Sequence, residues 1–376
     1  MKKKVLIICP HLHLGGGVSN YFNSLKGHLN NDADFFFIGA TSAKESFYKK
    51  PFNLIYDIIS LSLHLLRSGR DYKIIHINPS FVWSSIMRDG LLLLVSKLFH
   101  KKCIVFFRGW NSDFADYVSR RFSYIFRFVY NRADAFIILS SEFKEKLRCW
   151  GFDQPIYLET TTVDNRLLNT FSLGNRKKRN LSKQESIHLL FLSRIEREKG
   201  IIETIDAVRI LADSYPGLFL SVAGTGPYLD YSMKYSQEIG IGHLVQFKGY
   251  VTGTYKQQLL ESANVFVFPT YYGEGMPNCV LEAMAFGLPV ITRPVGGIKD
   301  FFVDGRFGYL TKSKDPQTIA SLIDKVVSDR KAYDYMSSEA FKYAEKNFLA
   351  SRVTKRLRHI YDILDHETEQ IHSFKD

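Results

Sequence analysis

The stretch that decides the fold spans residues 269–297 and reads PTYYGEGMPNCVLEAMAFGLPVITRPVGG. An apolar run over residues 265–268 precedes it and predicts a buried strand. After a glycine-rich loop, a short helix is predicted from Asn278 to Phe286, with Asn278 as its N-cap and Gly287 just beyond its carboxyl end. The loop and the helix start present backbone N–H groups beyond the strand, which favours an oxygen-rich, anionic ligand.

Two acids flank this helix start, Glu274 in the loop and Glu282 one turn inside the helix. Their spacing alone is uninformative, because acids recur in this way on many helices whose carboxylates are simply solvated. The surrounding residues are specific. The pattern EGMPN-x-x-x-EAMA-x-G-x-P-V, followed by GG, resembles the E-x7-E signature of the retaining GT-B glycosyltransferases of group 1, the GT4-like family.

The resemblance implies an α/β enzyme of the GT-B fold, with two Rossmann-like parallel-sheet domains that face each other across an interdomain cleft. It implies transfer of a sugar from a nucleotide-diphosphate sugar to a hydroxyl acceptor, with retained configuration and with no cofactor or metal. Glu282 would accept hydrogen bonds from the ribose hydroxyls. The residues implied to surround the donor sugar are Glu274, Gly275, Met276, Pro277 and Asn278.

The domain organisation follows from length and from alternation. A chain of 376 residues exceeds one typical core, so two domains are expected. Short apolar runs alternate with helical patterns, which is typical of parallel sheets covered on both faces. The predicted strands are residues 4–9, 35–38, 73–77, 103–107 and 135–139, then 187–192, 219–223, 245–248, 265–268 and 290–292.

The polar run at residues 175–179 predicts a linker between the two series. We therefore expect an acceptor domain over residues 1–170, a linker over 171–186 and a donor domain over 187–348. A last segment over 349–376 carries one amphipathic helix, which the resemblance implies crosses back to the first domain.

Composition sets limits on class and location. Hydrophobic residues make up 45% and charged residues 23%, as in ordinary soluble proteins. The net charge of +12 predicts a negatively charged partner, with nucleic acid, anionic lipid and a diphosphate substrate all suitable. Four scattered cysteines indicate free thiols. No signal peptide and no membrane span are expected, so we predict a cytoplasmic protein, with attachment to the inner face of the cell membrane as an open alternative.

A second glycine-rich turn, Gly15-Gly16-Gly17, follows the first predicted strand. Gly16 and Gly17 let the backbone approach a ligand closely, and the helix start beyond them can receive a phosphate. The turn is not G-x-G-x-x-G, which disfavours a dehydrogenase, and the resembled family has a similar turn near the donor diphosphate. The neighbouring His11 and His13 have no further ligands nearby, so no metal site is expected.

Two cations follow the first strand of the donor domain. Arg194 and Lys199 stand in SRIEREKG, which resembles the family motif G-R-x-x-x-x-K-G with Ser193 in place of glycine. The resemblance implies that both grip the donor diphosphate, and two cations on one loop suit the charge that develops on a leaving diphosphate. Together with Glu274 they are the candidate catalytic residues.

Other strand ends add candidate donor contacts. Gly224 and Gly226 form a G-x-G-P turn like that of the family, which implies a wall of the nucleotide site. Tyr250 follows the next strand, where either stacking on the base or ordinary packing is expected. Arg108 departs from the family, which commonly has histidine at this strand end. Arginine is always protonated and cannot act as a base, but it can bind a sugar hydroxyl, a phosphate or an anionic acceptor.

Residues 117–132 read YVSRRFSYIFRFVYNR and combine arginines with aromatic side chains. Such a helix could lie on an anionic bilayer, or it could pack its aromatics on the sheet and leave its arginines in water. Many members of the resembled family act on lipid-linked acceptors, which favours the membrane. A nucleic-acid role is not expected, because the basic run at residues 175–179 is a linker without a recognition fold.

Three other functions have sequence requirements that can be compared with this chain. A metal-dependent GT-A transferase would need Asp-x-Asp at a strand end, whereas Asp32-Ala-Asp34 precedes a strand. A nucleotide-sugar epimerase is disfavoured by the Arg194 and Lys199 pair. A non-catalytic GT-B binding partner in a polysaccharide assembly complex is the main alternative. The reason to consider it is Arg108, which stands in place of the family's usual histidine. The favoured function is a transferase in surface-polysaccharide or lipopolysaccharide synthesis.

Overall fold

The chain divides into two units in a computed structural model that describes residues 4–29, 32–39, 50–174, 186–273 and 275–372. Unit 1 comprises Met1–Thr161, Gly273–Met276 and Ala350–Asp376, and unit 2 comprises Thr162–Tyr272 and Pro277–Leu349. The first unit therefore ends at Thr161, before the boundary expected at 170. The basic part of the predicted linker, residues 175–179, lies outside the described residues.

Unit 1 is built on a parallel sheet. Its strands are β1 (Lys4–Pro10), β2 (Ala33–Ile38), β3 (Tyr72–Ile77), β4 (Ser80–Phe81), β5 (Lys102–Phe106), β6 (Gly109–Trp110), β7 (Ala135–Ile138) and β8 (Ile156–Leu158). Six of them pair in the order β2-β1-β3-β5-β7-β8, and β4 pairs with β6 separately. The helices are α1 (Gly17–Leu29), α2 (Lys50–Ser68), α3 (Trp83–Leu98), α4 (Ser112–Tyr117), α5 (Ser123–Tyr130) and α6 (Ser141–Cys149), with a π-helical turn at Val118–Phe122.

Unit 2 contains a second parallel sheet, ordered β11-β10-β9-β12-β13-β14. The strands are β9 (Ile187–Leu192), β10 (Leu218–Ala223), β11 (Val245–Gly249), β12 (Val265–Phe268), β13 (Val290–Thr292) and β14 (Gly308–Leu310). The helices are α7 (Ile201–Leu211), α8 (Leu229–Glu238), α9 (Gly253–Ser262), α10 (Asn278–Ala285), α11 (Ile298–Phe301), α12 (Pro316–Ser328) and α13 (Arg330–Asn347). Short 3-10 turns occur at Leu12–Leu14, Gly69–Asp71, Asn165–Leu168, Arg197–Lys199 and Gly242–Leu244.

The last helix, α14 (Ala350–His372), belongs to unit 1. The apolar face predicted for it is buried there, namely Val353, Leu357, Ile360, Tyr361 and Leu364. Several polar contacts also hold it to the unit, and two of them involve buried partners. Tyr361 Oη lies 2.6 Å from His76 Nδ1, and Arg356 Nε donates to Glu159 Oε1 at 2.6 Å.

The strands follow the apolar runs of the sequence. β5, β7 and β12 carry buried residues at nearly every position, because helices cover both faces of a parallel sheet. Two three-residue strands, β8 and β14, were not predicted, since so short a run has no readable period and its place is set by the neighbouring strand. In unit 1 aromatic side chains pack on both faces of the sheet: Phe81 stacks on Trp110 at 4.4 Å between ring centroids, and Tyr21 packs edge-on against Phe106 at 5.9 Å.

The N-cap of helix α10 lies one residue earlier in the sequence than predicted. Pro277 is the N-cap and Asn278 is the first helical residue, so the prediction of Asn278 as N-cap is wrong. Proline suits the cap because its fixed φ of −75° already matches the extended conformation found there. Gly287 adopts a φ of 65°, as predicted for the residue that ends the helix. Within the described residues, every helix is too short or too polar to cross a bilayer.

Candidate functional site

The strand order of unit 2 places a ligand site at a defined edge. Chain order reverses between β9 and β12, which are neighbours in the sheet. In open parallel sheets, ligands bind beyond the carboxyl ends of the strands at this reversal. The loops that leave β9, β10 and β12 contain the residues singled out from the sequence.

Glycines let these loops touch. A Cβ atom at Gly224 would lie 1.8 Å from the Ser193 carbonyl oxygen, and one at Gly226 would lie 2.3 Å from the Ile195 carbonyl oxygen. Both distances are shorter than van der Waals contact, so any side chain would force the backbones apart. The loop after β9 is thereby seated on the loop after β10. The two glycines have a structural role that the sequence did not reveal.

The loop after β9 also contacts the loop after β12. The amide N–H of Tyr271 donates to the Glu198 carbonyl oxygen at 2.9 Å. Gly200 has a φ of 82°, and a Cβ there would lie 2.7 Å from the Pro269 carbonyl oxygen. Backbone contacts therefore fix the geometry of all three loops before any ligand arrives.

The two predicted cations differ in environment. The Lys199 side chain is buried, and its Nζ lies 4.1 Å from the centroid of the Tyr272 ring. Arg194 is exposed, and its Nε lies 3.1 Å from Oε1 of the half-buried Glu196. Lys199 is thus held in place, whereas Arg194 extends into solvent beside Glu196.

Glu282 has a cationic partner that the sequence analysis missed. Its carboxylate is buried on α10, and Oε1 accepts a hydrogen bond from Lys256 Nζ at 2.6 Å. Lys256 lies on α9, which follows β11. No local pattern signals the pair, because the two residues come from different helices.

The rest of the E-x7-E loop is only partly described. Glu274 lies outside the described residues. Gly275 and Met276 belong to unit 1, where the Met276 carbonyl oxygen accepts from Thr161 Oγ1 at 3.4 Å. Asn278 Oδ1 in unit 2 is buried, and no described residue hydrogen-bonds to it.

Tyr250 follows β11 and is 70% exposed. Of the two alternatives left open by the sequence, ordinary packing is therefore wrong. The exposed side chain remains a candidate for stacking on the base.

In unit 1, order reverses between β1 and β3. The loop after β1 carries Gly15 and Gly16 with φ values of 71° and 94°, which favour glycine, and α1 begins at Gly17. His11 and His13 lie beside this loop, with ring centroids 5.4 Å apart. Among the described residues no group of three or more His, Cys, Asp or Glu side chains could hold a metal ion.

Arg108 follows β5 in the same unit. Its guanidinium lies 3.6 Å from the centroid of the Tyr21 ring and 4.2 Å from that of Phe106. His76 stacks on the other side of Phe106 at 6.0 Å between centroids. Burial, and secondarily the nearby positive charge of Arg108, lowers the pKa of His76 to about 3, so His76 is neutral.

A comparison with known families matches a segment of the chain that contains most of unit 2. Residues 174–343 match the family described as glycosyl transferases group 1. This segment is similar to the group 1 glycosyl transferases. Lys199, Gly224, Gly226, Lys256 and Glu282 all lie inside the matched segment.

Two curated glycosyltransferases illustrate the relationship. An uncharacterized glycosyltransferase of Methanocaldococcus jannaschii is 31% identical over 175 residues, which span 46% of this chain and 44% of that protein. The capsular polysaccharide biosynthesis glycosyltransferase CapM of Staphylococcus aureus is 26% identical over 236 residues, spanning 61% of this chain and 58% of that protein. The chain thus spans about half the length of these relatives.

The glycosyltransferase fold extends beyond the matched family region. Anabaena HepE, solved in complex with UDP and glucose, superposes with a TM-score of 0.70 over 96% of this chain and 99% of that chain, at 15% identity. This likeness and the two parallel sheets establish the GT-B fold that the E-x7-E resemblance implied. The sequence predicted the loops after β9, β10 and β12, and the structure adds the contact between Lys256 and Glu282.

Proposed function

We propose that the chain is a retaining hexosyltransferase that moves a sugar from a nucleotide-diphosphate sugar to a hydroxyl of a saccharide or lipid-linked acceptor. The observation that carries the proposal is Lys199, a buried cation on a loop held in place at the strand-order reversal of unit 2. A buried ammonium there suits a diphosphate. The name of the CapM relative supports a role in polysaccharide synthesis, and lipopolysaccharide assembly is the variant we favour at the inner face of the cell membrane.

The proposed reaction is a substitution at the anomeric carbon, with the nucleoside diphosphate as the leaving group. The bond between the anomeric carbon and the diphosphate oxygen breaks, and a bond from the acceptor oxygen forms on the same face of the sugar. The acceptor proton passes to the leaving phosphate oxygen, so no protein base is needed. Lys199, Arg194 and the amino end of α10 stabilise the negative charge that develops on the diphosphate, without requiring a metal ion.

The donor contacts are proposed residue by residue. Glu282 would accept from the ribose hydroxyls, with Lys256 holding its carboxylate. Tyr250 would stack on the base. The remaining donor contacts are proposed to be Glu274, Gly275, Met276, Pro277, Asn278, Gly224, Gly226, Gly16, Gly17 and Arg108.

A thermal-shift screen with UDP, GDP and ADP tests the donor site. The matching nucleotide should raise the melting temperature by mass action, with about 2.7 kcal/mol of stabilisation at a hundredfold excess over Kd. Lys199→Ala should weaken binding by about 10- to 100-fold, the value of one charge-assisted contact. Arg209→Ala, which removes an exposed cation of α7, is the matched control. A protein that responds to none of the three nucleotides contradicts the assignment.

A non-catalytic binding partner in a polysaccharide assembly complex is the second candidate. Arg108 favours it, because this arginine stands where the resembled family commonly has a histidine. Measured sugar turnover that disappears in Glu274→Ala and Lys199→Ala would support the enzyme. Nucleotide-sugar binding without turnover would support the scaffold.

An anionic membrane surface is the proposed partner of unit 1. Around α5, Val118, Phe126 and Tyr130 point into the core, so part of the segment is an ordinary packed helix. Its opposite side is apolar and basic. The exposed side chains there are Tyr117, Tyr124, Ile125 and Phe128, together with Arg120 and Arg121.

Helix α2 of the same unit carries a second exposed apolar face. It exposes a stripe at helical spacing, namely Phe52, Ile55, Tyr56, Ile59, Leu63 and Leu66. A stripe of this size is unusual for a face that meets only water. Arg120 and Arg121 of the same unit complement anionic headgroups. Apolar insertion and electrostatic attraction together support peripheral attachment.

A further inference from the structure

The ammonium group of Lys199 lies over an aromatic ring of the neighbouring loop. Its Nζ is 4.1 Å from the centroid of the Tyr272 ring. Lys199 follows β9 and Tyr272 follows β12, and both residues belong to unit 2. At this distance the negative face of the ring attracts the cation. The ring therefore helps to determine where the ammonium lies.

Backbone contacts fix the Tyr272 ring beside the lysine. The carbonyl oxygen of Glu198, the residue before Lys199, accepts hydrogen bonds from three groups of the loop after β12. The donors are Tyr271 N at 2.9 Å, Tyr272 N at 3.3 Å and Thr270 Oγ1 at 3.3 Å. Because this loop is bonded to the residue that precedes Lys199, the ring and the ammonium are brought together by the backbone itself.

The adjoining tyrosine contacts a different cation. Nζ of Lys314, which follows β14, lies 3.5 Å from the centroid of the Tyr271 ring. Two consecutive tyrosines of one loop thus contact two lysines, which come from the loops after β9 and β14. The contact between Tyr272 and Lys199 is the one that concerns the proposed diphosphate site.

A ring face suits a cation that must bind an anion. It attracts the ammonium but carries no net charge, so the positive charge of Lys199 stays available to a diphosphate. It also restrains the end of a flexible four-carbon side chain before the ligand arrives. Fixing such a side chain only on binding costs roughly 3- to 10-fold in affinity, and a prior restraint avoids this cost.

We propose that Tyr272 is a positioning residue for the donor diphosphate, and that it acts by holding the ammonium of Lys199 where the phosphates bind. The inference rests on the proposed function, in which Lys199 binds the diphosphate. The aromatic face of Tyr272 carries the effect, and its hydroxyl group is not needed. Tyr272 itself contacts neither the sugar nor the base.

A double-mutant cycle tests whether Tyr272 acts through Lys199. Calorimetry measures the dissociation constants of UDP, GDP and ADP for the wild type, Tyr272→Leu, Lys199→Ala and the double variant. Tyr272→Phe keeps the ring and removes the hydroxyl group. Tyr335→Leu, which removes another exposed tyrosine of unit 2 on α13, is the matched control.

We expect Tyr272→Leu to bind the tightest of these nucleotides roughly 3- to 10-fold more weakly than the wild type does. In the Lys199→Ala background the same substitution should change the affinity less than about twofold. Tyr272→Phe and Tyr335→Leu should bind as the wild type does. General damage to the loop would not give this pattern, because it would weaken binding equally whether Lys199 is present or absent.

Three results would overturn the inference: Tyr272→Leu binds as tightly as the wild type, it loses as much affinity without Lys199 as with it, or Tyr272→Phe loses as much as Tyr272→Leu. If Lys199→Ala still weakens binding in these cases, the proposed diphosphate site stands and only the role of Tyr272 is wrong. If the wild type binds none of the three nucleotides, the donor assignment fails and the inference fails with it.

Discussion

Particular residues of unit 2 are needed for one of two structural reasons, either room for a neighbouring backbone or a partner for a buried charge. Gly224 and Gly226 are needed because a Cβ would collide with carbonyl oxygens of the neighbouring loop. Glu282 is needed with its partner, because a buried carboxylate without a cation or hydrogen bond is costly. The first requirement concerns backbone space, and the second concerns charge.

Replacing Lys256 by methionine isolates the second requirement. The buried carboxylate of Glu282 would lose its 2.6 Å contact, so we expect the free energy of unfolding to fall by roughly 1–3 kcal/mol. The affinity for the nucleotide should fall as well, because the carboxylate is no longer oriented. Urea unfolding and nucleotide titration by calorimetry measure the two effects.

Lys234→Met is the matched control for this change. Lys234 forms an exposed ion pair with Glu238 one turn away, at 3.6 Å, and its loss should cost less than about 0.5 kcal/mol. If both variants behave alike in unfolding and in nucleotide binding, Lys256 does not position Glu282.

At the level of elements, α5 combines the two arrangements that its composition left open, packing in the core and exposing an apolar, basic face. The helix packs one side on the sheet and exposes apolar rings with arginines on the other. α2 adds a longer apolar stripe. Neither helix is buried by another described element on those faces, and both lie in unit 1.

Removing the charge of Arg120, Arg121 and Arg127 tests the membrane surface. Each arginine near an anionic bilayer contributes about 1 kcal/mol, so the triple Gln variant should bind vesicles containing phosphatidylglycerol roughly 100-fold more weakly. Cosedimentation measures this, and binding of the wild type should weaken as salt rises.

A triple Gln variant at Lys234, Lys331 and Lys346 of unit 2 removes the same charge elsewhere. Equal vesicle binding by both triple variants would mean that net charge, and not this helix, attracts the protein to the bilayer.

At the scale of the whole molecule, unit 1 is completed by the last residues of the chain. Ending the chain after Leu349 removes α14, whose buried face holds Val353, Leu357, Ile360, Tyr361 and Leu364. At roughly 1.5–3 kcal/mol for each buried side chain, the loss is comparable to the total stability of a domain. We expect unit 1 to unfold while unit 2 stays folded.

Limited proteolysis with mass spectrometry checks this outcome, since peptides of unit 1 should be cleaved first. A chain ending after His366 keeps the buried face of α14 and serves as the control. Protection of unit 1 in the shorter chain would show that α14 is dispensable for its core.

The sequence by itself determined the strands of both sheets to within two residues, apart from the short β4, β6, β8 and β14. It also predicted the loop that carries Lys199, the helix that carries Glu282 and the buried face of α14. Periodicity and glycine placement are properties of contiguous residues, so they can be read locally.

Only the tertiary structure decided the order of the strands and the pairing of Lys256 with Glu282. Each depends on residues that are distant in sequence and meet only when the sheets form. The sequence specifies which side chains carry a charge. Whether that charge is matched is decided by what folds beside it.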